Sequence, residues 1–313
     1  MNLVMPVRAI GRRCLCMALG VLLLLLGVLP SSPVLAADET VRMGFYQGAR
    51  REMSRADLRG AFTLWSQELA AVFKMPIEVI FFEDLGNMRQ AFERGEINAV
   101  SADAMTLAKN FSIADLAEGY SVAMPTSWNM LMLSGRESGV RTVADLRGKR
   151  LAMLEDDQAA ATFMETVCLR QYGSECSKVF SDIQRLSNNN QAVMRLFFDK
   201  ADVALVYRYG YELSREMNPQ LERKAGQVVH EVPFTGMFYS FFSSKVDPVL
   251  RARAVKLIPT LHTYPRGRQL LDIFKMDHLE VANPQELKRF LQLDQEWHDL
   301  KAQVLRNPKG KKP

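Results

Sequence analysis

A run of strand, helix, strand, helix and strand occurs twice in this chain, and that repeat restricts the fold more than any other feature. In the first copy, Val41 to Phe45 reads as a strand. Ser54, with Asp57 three residues on, has the spacing of a capping box and opens a helix. The apolar residues of that helix, Leu58, Phe62, Trp65, Leu69, Val72 and Phe73, fall on one stripe. Ile77 to Phe82 is the second strand. Asp84 caps a shorter helix through Leu85, Met88, Ala91 and Phe92, Gly95 stops it, and Asn98 to Val100 is the third strand. In the second copy the strands are Arg150 to Met153, Asp182 to Leu186 and Asp202 to Val206. Its helices are Ala159 to Gln171 and Asn190 to Phe198. Phe92 to Val100 and Phe197 to Leu205 match in plan: each ends a helix, turns, and enters a strand through an amide or an acid. Such alternation implies βαβ crossovers. It predicts an α/β protein of two lobes, each a mostly parallel sheet flanked by helices. From Asp247 the pattern is helical again, with Leu250, Ala254, Leu257 and Ile258 on one side, returning the chain to the first lobe. A length of 313 residues suits two compact units.

The N-terminus speaks to compartment. Arg8, Arg12 and Arg13 precede an apolar run from Cys14 to Leu29, followed by Pro30-Ser31-Ser32 and Val34-Leu35-Ala36. Charged, apolar and small-residue regions in that order read as a secretory leader cut after Ala36. The alternative is an uncleaved anchor, although the run is shorter than the roughly 20 residues that span a bilayer. The expected organisation is a leader over 1–36, a first lobe over 37–130, a second over 131–232, a return to the first over 233–302, and a basic tail over 303–313. The formal charge of +5 loses three arginines with the leader. No basic stripe then argues for nucleic acid.

Export leaves two cysteines, Cys168 and Cys176, in an oxidising compartment. Gly173 ends the helix carrying Cys168, so Cys176 folds back on the helix end, and the pair is expected to form a disulfide. The alternative is two free thiols, with Cys168 a small core residue. His230, His262, His278 and His298 are scattered, and no second close Cys or His pair completes a zinc site. No Gly-x-Ser-x-Gly, His-Glu-x-x-His or phosphate-binding Gly-rich loop appears. Neither an enzyme nor a cofactor is expected.

The stretch Gly139-Val140-Arg141-Thr142-Val143-Ala144-Asp145-Leu146-Arg147-Gly148-Lys149-Arg150 resembles the segment that opens the second lobe of type II periplasmic solute-binding proteins. Gly44-Phe45-Tyr46 and Gly95-Glu96-Ile97-Asn98 are similar to turns of the phosphonate-binding branch of that family. The resemblance implies a two-lobed receptor, the lobes joined by two crossover strands. It implies the binding component of an ABC-type uptake system, expected to be monomeric, with an inner-membrane permease complex as partner. The alternative is a sensor or accessory protein signalling to a membrane partner. The solute is expected at loops beyond the strand carboxyl ends. Candidates are Tyr46, Gln47, Ser101, Trp128, Asn129, Gln158, Asn188, Asn189, Asn190, Tyr207 and Arg208. Several have a structural reading too: Asp157 as a helix cap, Asn188 to Asn190 as a turn and cap, and Arg208 as a partner of Glu212. Where the branch places a Ser/Thr-rich anion turn, this chain has Glu155-Asp156-Asp157-Gln158, without a hydroxyl. The resemblance therefore carries the fold, while the carboxylates point to a small polar solute other than a simple phosphonate.

Overall fold

The computed structural model describes residues 40–46, 55–124, 127–155, 157–234, 238–274 and 276–306. The Ser54 cap and the leader lie outside them. The first copy of the repeat forms β1 (Val41–Tyr46), β2 (Ile77–Phe82) and β3 (Ala99–Asp103). β1 lies between the other two and parallel to both, with Val41 opposite Ile77 and Met43 opposite Ala99. The helices Arg55–Phe73 and Leu85–Glu93 make the crossovers. The second is capped as expected, Asn87 N–H donating to Asp84 Oδ1 at 2.7 Å.

Two strands then follow that the alternation does not signal, β4 (Leu116–Ala123) and β5 (Met130–Ser134). The second copy supplies β6 (Arg150–Leu154), β7 (Asp182–Leu186) and β8 (Val203–Tyr207), with β6 parallel to both neighbours. Three more strands complete the fold: β9 (Gln227–Val232), β10 (Phe238–Ser243) and β11 (His278–Ala282). The first sheet runs β11-β4-β10-β3-β1-β2 and the second β7-β6-β8-β5-β9. Each sheet is mixed, because a parallel trio from the repeat is extended by antiparallel strands from elsewhere. The chain passes between the sheets twice, after β4 and after β9.

Apolar burial follows this plan. Val41, Met43 and Phe45 of β1 pack on Phe62, Trp65 and Leu69, and Phe45 and Phe62 have ring centroids 4.3 Å apart. A second cluster joins the lobes, running from Met105 and Phe241 through Phe290 to Met153, Phe163 and Tyr207. Phe290 lies on the C-terminal helix Lys288–Arg306, which packs on both Ala104–Asn110 of the first lobe and Gln158–Tyr172 of the second. Its ion pairs also reach both sides. Asp294 takes Lys109 at 2.9 Å, while Glu296 pairs with Arg170 and Lys301 with Glu175. The helix Gln158–Tyr172 stops at Gly173, which adopts the left-handed conformation (φ 60°) that favours glycine, and its N–H closes on Leu169 O at 2.9 Å. Past that stop, Cys176 meets Cys168 in a disulfide with Cα atoms 5.3 Å apart.

Candidate functional site

The carboxyl ends of β1, β3, β6 and β8 carry the loops where an open α/β sheet places a ligand. On the second lobe these ends are tied together by side chains. Asp157 precedes the helix Gln158–Tyr172 and is buried, at 6% exposure. Its carboxylate accepts Ala160 N–H at 2.9 Å and the Tyr207 hydroxyl at 2.8 Å. A carboxylate of the protein itself therefore sits on the helix N-terminus, where backbone N–H groups and the dipole favour an anion.

Asn189 is buried and fixes the end of β8 from the other side. Its Oδ1 accepts Tyr207 N–H at 3.0 Å, and its Nδ2 donates to the Tyr209 hydroxyl at 3.4 Å. Gly210 permits this approach, since a Cβ there would lie 2.4 Å from the Asn189 side chain. Asn188 caps the helix Asn189–Phe197 by accepting Gln191 N–H at 2.9 Å, and half-buried Asn190 lies on its first turn. Trp128, in the first crossover, donates from Nε1 to Val122 O at 2.8 Å. Its ring stands edge-on to Tyr209 at 5.1 Å and to Tyr207 at 6.4 Å. Trp128, Tyr207, Tyr209, Asn189 and Asp157 thus form one connected group.

Arg208 and Asn129 form a second. Arg208 binds Glu231 through Nη2 (2.5 Å) and Nε (3.1 Å), and reaches Glu212 at 3.4 Å. Its backbone N–H donates to Asn129 O at 2.8 Å, and the Asn129 amide donates to Glu231. The bonds from Arg208 and then Asn129 hold the Glu231 carboxyl below the usual range, and Glu231 raises the Arg208 guanidinium in turn. The expected Arg208–Glu212 pair is present, with a second carboxylate added. A ligand carboxylate would have to displace both.

The other candidates lie apart. Ser101 faces the interior of the first lobe, 1% exposed, with its hydroxyl 2.8 Å from that of Ser240. The structure does not bring it to the cleft-side group, because β3 is buried on both faces and the alternation gives no outward side. Tyr46 is half-buried at the end of β1, packed against the cluster shared by the lobes. Asp103, at the end of β3, caps Ala104–Asn110 through Thr106 N–H (2.9 Å) and Oγ1 (2.6 Å). Gln158 is exposed on its first helical turn, and Glu155 is half-buried with its N–H on Leu186 O. Gln47 and Asp156 lie outside the described residues. Among the described residues, no group of His, Cys, Asp and Glu is arranged to hold a metal ion. The sequence reading missed Tyr209 and Glu231. Tyr209 was within reach, one residue past a chosen pair, whereas Glu231 carries no local signal.

The family described as the phosphonate periplasmic substrate-binding protein of ABC transporters matches residues 52–287. The chain belongs to that family. Its members are binding proteins of the periplasm and not enzymes. No curated protein sequence matches the chain. Among solved structures it is similar to a binding protein component of an ABC phosphonate transporter from Pseudomonas aeruginosa, at 10% identity over 85% of this chain and 88% of that one, TM-score 0.63. PhnD1 from Prochlorococcus marinus, solved with methylphosphonate, has 11% identity over 83% and 99%, also at 0.63. A Xanthomonas citri protein solved with ATP has 13% identity over 84% and 98%, again at 0.63. At such identities the likeness establishes the two-lobed fold alone.

Proposed function

We propose that this chain is an exported receptor, its leader removed after Ala36, that captures a small polar solute between its lobes for an inner-membrane permease complex. The solute is neutral or zwitterionic and is not a simple phosphonate. The observation that carries this reading is Asp157. A relative is solved with methylphosphonate, yet here a buried carboxylate already takes Ala160 N–H and the Tyr207 hydroxyl. Two unit charges about 4 Å apart repel by about 4 kcal/mol at an effective dielectric near 20. That offsets most of what a few charge-assisted hydrogen bonds contribute. The aromatic rings of Trp128 and Tyr209 and the amides of Asn189 and Asn190 offer apolar walls and neutral polar groups instead. Calorimetry with alkylphosphonates and with neutral and zwitterionic metabolites tests the reading. Weak or absent phosphonate binding is expected, strengthening in Asp157→Asn. Submicromolar binding of an alkylphosphonate to the unaltered protein sinks it.

A further inference from the structure

Three hydroxyl groups stand in one row across the first sheet. Ser240 of β10 lies opposite Ser101 of β3 on one side and opposite Tyr120 of β4 on the other. Residues opposite each other in antiparallel strands share a face, so all three side chains rise from the same side of the sheet. Tyr120 belongs there to the apolar cluster of Phe62, Trp65 and Leu69. The row is a polar line inside an apolar layer, where every hydroxyl needs a hydrogen-bond partner.

Protons and acceptors do not balance within this row. The Ser101 and Ser240 oxygens are 2.8 Å apart, which is one bond. Two hydroxyls joined by one bond spend one of their two protons on it and keep the other to donate elsewhere. Tyr120 is 4% exposed, and its buried hydroxyl has no hydrogen-bond partner among the described residues. Burial holds its phenol well above the usual range, so the hydroxyl keeps its proton. Left unmet, such a group carries its full desolvation cost. Ser101, Ser240 and Tyr120 all line one cavity of about 30 Å³, walled otherwise by residues such as Phe62, Trp65, Phe274 and Leu279. The volume decides what fits. An engineered apolar cavity of about 150 Å³ takes up benzene, so this space is too small for an organic ring. A water needs about 10–15 Å³ and two to four polar partners, which leaves room for two.

We propose that this cavity is a hydration site of the first lobe, where two waters join the Tyr120 hydroxyl to the Ser101–Ser240 pair. One water accepts the Tyr120 proton and the other the spare serine proton, and their own protons go to each other and to the remaining hydroxyl lone pairs. The hydrated row also keys the entry of β10. A slip of one residue would set Tyr239 or Phe241 opposite Ser101 and turn the Ser240 hydroxyl to the other face, removing the middle member of the row. Apart from Ser101, which the structure keeps out of the cleft-side group, no residue of this site was a candidate for the solute, so the proposal stands whatever the cleft takes.

A high-resolution crystal structure of the mature, unaltered protein should show two water peaks in the cavity, one of them within hydrogen-bond distance of Tyr120 Oη. A dry cavity, or density too large for water, overturns the proposal. Urea unfolding of Tyr120→Phe gives the sign in solution, since this variant keeps the ring against Phe242 and removes only the hydroxyl. If that hydroxyl is bonded to water, its loss raises the unfolding constant by about three- to tenfold. If it lies dry, its loss relieves an unmet group, and an unchanged or lowered constant overturns the proposal. Ser240→Ala tests the link between the hydroxyls. The cost of Tyr120→Phe should shrink in that background, because the waters have already lost one anchor. Strictly additive effects of the two substitutions would show that no water joins them, and the proposal fails with the link.

Discussion

Reducing the Cys168–Cys176 bridge is expected to lower stability without disturbing the surrounding packing. The cysteines are eight residues apart, and both are buried, at 0% and 2% exposure. The loop-closure relation for a loop of that size gives about 2.5 kcal/mol at 25 °C. Little local relaxation should add to this. Gly173 already turns the chain, and Cys176 N–H donates to Glu165 Oε2 at 3.1 Å, so the return does not depend on the sulfurs alone. Urea unfolding with and without a phosphine reductant, followed by tryptophan fluorescence, measures the difference. The Cys168→Ala/Cys176→Ala variant should match the reduced protein and no longer respond to reductant. Two results would refute the reasoning. One is a loss below about 0.5 kcal/mol, too small for a loop this tight. The other is stoichiometric alkylation of both thiols in the exported protein before any reductant is added.

Asp202 binds Arg150 through Nη2 (2.9 Å), Nε (3.1 Å) and the backbone N–H (2.9 Å), and these bonds hold its carboxyl below the usual range. A depressed folded-state pKa stabilises above the unfolded value near 3.9 and is lost as pH falls through the folded one. Asp202→Asn should therefore cost about 1–2 kcal/mol at neutral pH, reduced from the buried-pair range because Arg150 is 39% exposed. It should also flatten the acid limb of the stability profile below about pH 4; an unaltered acid limb would count against the pair. Gly210→Ala forces a Cβ against Asn189 and should cost about 1–3 kcal/mol in chemical denaturation, with the Asn189→Gly background relieving most of it. Equal losses in both backgrounds would place the strain elsewhere.

The parts of the fold legible in the sequence are those written locally. Parallel trios leave an alternation of strand and helix, and caps such as Asp84, Asp157 and Asn188 sit beside the helices they start. β4 and β10 leave no such trace. They pair across more than a hundred residues, as Tyr239 with Ser121, and contain mixed polar and aromatic residues without a helical partner next door. The helical pattern read from Asp247 onward is present as Pro248–Leu257, Pro265–Ile273 and the C-terminal helix Lys288–Arg306. At the site, Asp157 was legible as a cap, but its bond to Tyr207 joins positions 50 residues apart. The Arg208–Glu231 pair spans 23 residues and no helix period links it. Ser101 is enclosed, and because flanking Val100 and Ala102 are buried as well, the sequence leaves the two faces of the strand indistinguishable.

The position of β10 sets an order of assembly. It lies in the interior of the first sheet, between β3 and β4, yet it follows the whole second sheet in the chain. Everything from Met130 to Val232 can find its strand partners while Phe238 to Ser243 are still absent. Until they arrive, β3 and β4 each present an open edge, and closing them requires long loops to be drawn together. The second lobe is in this sense an inserted unit that matures first, and the first lobe is a ring closed late by its own C-terminal third. Pulsed hydrogen exchange during refolding should find β6 and β8 amides protected before those of β3, and simultaneous protection would remove the distinction. A chain truncated ahead of Phe238 would lose β11 with β10, keeping one sheet whole but opening an edge of β3 and stripping β4 of both partners, the state most exposed to pairing with a neighbour.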